Sequence, residues 1–115
     1  DTYGHEVGNA VLKRIATVLH AFSRSTDIVA RYGGEEFVVM IPGVNIDQAW
    51  DIAEKLRGII AGQQYRNVPG DLRATMSFGV AARKQNEDGE SLISRADQAL
   101  YAAKSNGRNQ VLKAA

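Results

Sequence analysis

The sequence predicts an α/β fold, an α+β sandwich in which helices pack on one face of a mostly antiparallel central sheet. Three observations carry that reading. Apolar residues recur at helical spacing in three separate stretches, two alternating runs are divided by a glycine pair, and the coarse order is α-β-β-α-β-α-β. A βαββαβ unit places two helices on one face of a four-stranded antiparallel sheet. The observed order matches such a unit with its opening strand removed and a helix and strand added at the end. In that unit the first strand lies mid-sheet, so its absence is expected to leave two neighbours unpaired along their backbones. The chain of 115 residues is read as a single domain, residues 1–115, incomplete at its N-terminal side.

Each element has its own signal. From Val7 to Phe22 the apolar positions Val7, Val11, Leu12, Ile15, Val18, Leu19 and Phe22 form a helical stripe, with Lys13, Arg14 and His20 elsewhere around the wheel. A polar loop, Ser23 to Thr26, closes it. Asp27 to Tyr32 alternates as a strand does, Gly33-Gly34 follows at once, and Glu35 to Ile41 is again strand-like. The glycine pair predicts a tight hairpin turn, because primed turns need positive φ at both central residues. Pro42-Gly43 stops the second strand. The next helix carries Ala49, Ile52, Ala53, Leu56, Ile59 and Ile60 on one face, with Asp47 or Asn45 as N-cap and Gly62 past its end. Residues 62–71 read as a loop with room for a short surface strand. Arg73 to Ala81 sets Met76, Phe78 and Val80 against Thr75 and Ser77. After a turn at residues 86–89, a third helix runs from about Glu90 to Ser105, Asn106-Gly107 signals its C-terminal cap, and Gln110 to Leu112 forms a last strand.

Composition narrows the function. Apolar residues make up 44% of the chain and charged ones 23%, which is enough to build a packed core. Lys plus Arg number 14 and Asp plus Glu 13, so the net charge of +1 argues against nucleic acid as the partner while leaving room for one small anion in a local cationic pocket. No cysteine is present, which excludes disulfides, a thiol nucleophile and a cysteine zinc site. Only His5 and His20 are available for a histidine metal site, too few to argue for one. The apolar runs are far too short for a membrane span and no signal-peptide pattern opens the chain, so the expectation is a cytoplasmic domain without membrane contact of its own.

Three constellations carry chemistry. In Gly33-Gly34-Glu35-Glu36-Phe37, glycines let backbone approach a ligand closely, and two carboxylates suit a hard, oxygen-seeking cation whose shell substrate phosphates complete. Taken alone the same residues also read as a solvated hairpin. Lys104 and Arg108 stand four apart across a helix end, where both can converge on one anion or simply complement the helix dipole. Arg24 and Asp27 stand three apart ahead of the hairpin, a pattern that in isolation is a surface salt bridge of little worth.

Together these residues resemble a GGDEF domain of the diguanylate cyclase family, in its GGEEF form. GHEVGN at 4–9, RYGGEEF at 31–37, TMSFGVA at 75–81 and RADQALYAAKSNGRNQV at 95–111 stand in the family's order and spacing. The resemblance implies a nucleotide-cyclase-like, ferredoxin-like core and a set of roles. Glu35 and Glu36 are similar to the acidic pair that helps hold Mg²⁺ (or Mn²⁺) and poise a ribose 3′-hydroxyl. Gly33 and Gly34 resemble the turn that lies against GTP, and Lys104 and Arg108 the contacts to its β/γ-phosphates. Arg24 and Asp27 resemble the product-inhibition site, where the arginine grips cyclic di-GMP. Asn9 stands where the family often has an aspartate on the guanine edge; its carbonyl still accepts from guanine.

The implied reaction joins two GTP into cyclic di-GMP and two pyrophosphates, each 3′-hydroxyl attacking the partner's α-phosphate in a homodimer, with control from an upstream sensor or regulatory domain. The family's first strand, with its metal-binding aspartate, and the asparagine that reads guanine are absent from residues 1–115, so these residues alone are expected to be inactive. The alternative is a catalytically silent domain that senses cyclic di-GMP through Arg24 and Asp27.

Overall fold

The apolar stripe around Ile15 and Leu19 folds into α1 (Gly4–Ala21), in a computed structural model that describes residues 4–63 and 74–115. Ile15, Val18 and Leu19 are buried, Leu19 to 1% exposure, which is the spacing of one helical face. The helix unwinds at Ser23, whose hydroxyl donates back to the Leu19 carbonyl at 2.6 Å. The chain then enters β1 (Ile28–Gly33), which pairs antiparallel with β2 (Glu36–Met40), Ile28 opposite Met40 and Arg31 opposite Phe37.

The glycine pair sits one residue off the expected turn. Gly33 belongs to β1 and pairs with Glu36, so the two turn residues are Gly34 and Glu35. The register shifts between Arg31 and Gly33, and this bulge takes up the extra residue. Gly33 at the end of β1 and Gly34 in the turn both have positive φ, 158° and 50°, so the pair still supplies the backbone freedom the tip needs, one residue earlier than expected.

Asn45, rather than Asp47, caps α2 (Ile46–Ala61). Its side-chain oxygen accepts from the Gln48 amide at 2.8 Å while Gln48 reaches back to the Asn45 amide at 2.9 Å, a reciprocal capping box. Residues 64–71 of the expected loop, and Arg73 at the start of the expected third strand, lie outside the described residues.

β3 (Phe78–Val80) is shorter than the alternation predicts, and β4 (Val111–Lys113) pairs with it in parallel. A strand lasts only as long as its partner, and β4 offers three residues. The parallel sense follows from the connection: α3 (Gly89–Ser105) returns the chain to its starting edge before β4 begins. α3 packs against both strands. At Gly79 the contact is backbone on backbone, since a Cβ there would lie inside the Ala96 carbonyl oxygen and the Leu100 amide. Asp88 caps α3 by accepting from the Ser91 amide, and at the other end the Arg108 amide returns to the Ala103 carbonyl, closing a Schellman cap around Gly107.

Among the described residues, four strands make two two-stranded sheets, β1-β2 and β3-β4. They belong to two compact units. The first contains α1, the β1–β2 hairpin and the end of α2; the second contains α2 up to Gly58, then β3, α3 and β4. Ile15, Val18, Leu19 and Ile60 are buried in the first, and Ala53, Leu56, Ala99, Ala103 and Val111 in the second.

Candidate functional site

The hairpin tip is held by its own strand. Arg31 donates from Nε and Nη2 to the Gly34 carbonyl at 2.8 and 2.5 Å, pinning the turn from one side. Glu35 is exposed on the turn and Glu36, the first residue of β2, is half-buried. Among the described residues neither carboxylate makes a hydrogen bond or ion pair, so both are available to a ligand. Two carboxylates with no protein partner fit a hard divalent cation, but they are a partial shell. Among the described residues no group of three or more acidic or imidazole side chains gathers in one place, so further oxygen donors such as phosphates would have to complete the coordination.

Between α1 and the hairpin lies an open concavity of about 780 Å³. Asn9 lines it, with Leu12, Lys13 and His20 along α1 and Arg31 and Phe37 from the strands. The predicted base-contacting residue therefore shares one concavity with the arginine that staples the hairpin turn.

Lys104 and Arg108 belong to the second unit. Lys104 lies in the last turn of α3, and Arg108 follows the cap in a left-handed conformation, φ 65°. Neither side chain makes a hydrogen bond or ion pair among the described residues. Helix end and cap thus leave two cations without internal partners.

Arg24 and Asp27 meet directly. The Asp27 carboxylate accepts from the Arg24 amide at 2.8 Å and from its Nε and Nη2 at 3.1 and 2.9 Å, and Nη2 also donates to the Pro42 carbonyl at 2.6 Å. The Asp27 side chain is 6% exposed against 54% for Arg24. The Arg24 guanidinium, and next its amide, hold the Asp27 carboxyl below the usual carboxylate range. The aspartate orients the arginine, whose outer face stays in solvent.

Residues 1–110 match the family described as diguanylate cyclase, GGDEF domain. The chain belongs to the GGDEF family. It is 43% identical over 114 residues to the diguanylate cyclase DgcM of Escherichia coli K12, covering 99% of this chain and 27% of that protein. The chain therefore spans about a quarter of that relative. Its structure resembles the GGDEF domain of DgcB from Caulobacter crescentus, crystallised in complex with c-di-GMP, with TM-score 0.92 and 35% identity over 98% of this chain and 68% of that one. It also resembles the active GGEEF domain of a diguanylate cyclase from Vibrio cholerae, with TM-score 0.90 and 28% identity over 100% of this chain and 73% of that one.

Sequence reasoning missed part of this GGDEF domain's cavity wall. Lys13, His20 and Arg31 were not among the expected site residues, yet all three line the cavity with Asn9. A signal existed: Asn9, Lys13, Ala16 and His20 follow the i, i+4, i+7, i+11 spacing of one helix face, opposite the apolar stripe.

Proposed function

We propose that this GGDEF domain is the catalytic part of a diguanylate cyclase, condensing two GTP into cyclic di-GMP and two pyrophosphates in a homodimer. The hairpin tip carries this reading: Glu35 and Glu36 stand on a stapled turn with no protein partner among the described residues. In this reading they hold Mg²⁺ or Mn²⁺ against the substrate. Bound there, the metal supplies Lewis acidity to the attacking 3′-hydroxyl and offsets charge on the phosphates.

The chain's own residues do the rest. Gly34, with its positive φ and nothing within 4 Å of a would-be Cβ, lets backbone approach a nucleotide, and Gly33 beside it has the same open surroundings. Asn9 offers a guanine edge an amide that both accepts and donates. Lys104 and Arg108 offset the charge of the β/γ-phosphates, which leave as pyrophosphate. We propose further that Arg24 and Asp27 form a regulatory site for cyclic di-GMP, supported by the aspartate-oriented, solvent-facing guanidinium. Control by an upstream sensor domain and a cytoplasmic site of action belong to the same proposal.

The test is incubation of the full-length protein with GTP and Mg²⁺, with cyclic di-GMP and pyrophosphate measured. Glu36→Ala is expected to abolish turnover with an unchanged melting temperature; normal rates from that variant would overturn the site assignment. Arg24→Ala is expected to keep turnover and lose inhibition by added cyclic di-GMP. Product binding without any turnover in the wild-type protein would favour the silent sensor instead.

A further inference from the structure

Arg108 is followed and preceded by backbone of the same unusual hand. Gly107, Arg108 and Asn109 all have positive φ, at 113°, 65° and 50°; Gly and Asn tolerate this region, whereas the Arg108 side chain disfavours it. Such a run persists only where its surroundings over-determine it. Here they do. The Arg108 amide donates to the Ala103 carbonyl at 2.9 Å, and the Arg108 carbonyl accepts from Gln110 Nε2 at 3.2 Å. The Asn109 amide donates to Ser77 Oγ at 3.0 Å, and Asn109 Oδ1 accepts from Arg57 Nη1 at 2.9 Å. Arg57 is itself held by Glu54, which takes both Nε and Nη2.

The contrast with the side chain matters. Both backbone groups of Arg108 are fixed, the residue after it is clamped from α2 and from the segment before β3, and its guanidinium is left without an internal partner among the described residues. Nothing in helix capping requires this: the Schellman cap is complete at the Arg108 amide, one residue before the clamp begins. A clamp placed there fixes the direction in which Arg108 leaves the backbone and so lowers the ordering cost of gripping an anion.

We infer that Arg57, Asn109 and Ser77 are positioning residues that act through Arg108, holding its left-handed turn so that the guanidinium is preset for the terminal phosphates of a nucleoside triphosphate. The inference rests on the proposed GTP-binding role of Arg108 and deepens it.

A double-mutant cycle in the full-length protein tests it, read as the Kd of 3′-deoxy-GTP with Mg²⁺, a ligand that lacks the attacking hydroxyl and cannot react. Arg57→Ala and Asn109→Gly are each expected to weaken binding about five- to ten-fold, the size of one mispositioned charged contact. Arg57→Lys is expected to recover part of the loss. In an Arg108→Ala background, Arg57→Ala is expected to add nothing, because its effect passes through the missing guanidinium. Ser77→Ala, a milder change, serves if Arg57→Ala does not fold, and is expected to show the same non-additivity. Additive losses, or a lower melting temperature with unchanged Kd, would overturn the inference while leaving the GTP reading intact. An Arg108→Ala variant that binds normally would remove both.

Discussion

Gly79 has a steric role that no neighbouring residue shares. β3 crosses α3 so closely there that any side chain meets the helix backbone at Ala96 and Leu100, neither of which is the yielding end of a flexible side chain. Gly79→Ala is therefore expected to cost at least about 1–3 kcal/mol, the usual range for overpacking. A lower urea midpoint at unchanged slope would register it. Gly8, Gly58 and Gly89 have open space where a Cβ would stand, so alanine at those positions is expected to spare the midpoint by comparison. The sequence marks Gly79 as a glycine in a strand, a known sign of close backbone approach, but what approaches it depends on residues 17 to 21 positions later. The hairpin shows the same limit. The GGEEF tip was legible as a turn, yet which glycine bends depends on a bulge at Tyr32 that alternation does not encode.

At the scale of elements, the three helices were legible because their stripes match a single periodicity, and the caps Asn45 and Asn106 lie where short polar residues precede or follow the stripe. Strand partners were not legible. Alternation tells which face a residue takes, whereas β3 is limited by the three residues β4 presents in parallel. The entry to α3 was read only as a turn, and it proves to be an ionic knot. Glu87 accepts from Arg95 Nε and Nη2 at 2.8 Å, from Ser91 Oγ and from the Lys84 amide, while Arg95 also donates to the Ala82 and Ala115 carbonyls. The Glu87 side chain is 6% exposed. The Arg95 guanidinium foremost, then the Lys84 amide, drive its carboxyl far below the ordinary 4.5. A carboxyl with a depressed folded-state pKa stabilises the fold fully above its unfolded value and loses that contribution as pH falls towards the folded one. The urea midpoint is accordingly expected to drop as pH goes from about 5 to about 3, and Glu87→Gln to start lower and vary less over that window. A variant that keeps the full wild-type acid slope would refute the assignment.

At the scale of the molecule, the acidic hairpin belongs to one compact unit and the Lys104–Arg108 helix end to the other. Only two acidic side chains stand at the hairpin tip, and no larger donor cluster forms among the described residues. The separate sheets bear on handling as much as on chemistry. Among the described residues each ladder stops at two strands, so every strand has one flank whose amides and carbonyls find no further strand. A flank of that kind is a template for any extended peptide of suitable pattern. At high concentration these open flanks favour pairing of neighbouring copies edge to edge, so association is expected to set in while the helices are still folded.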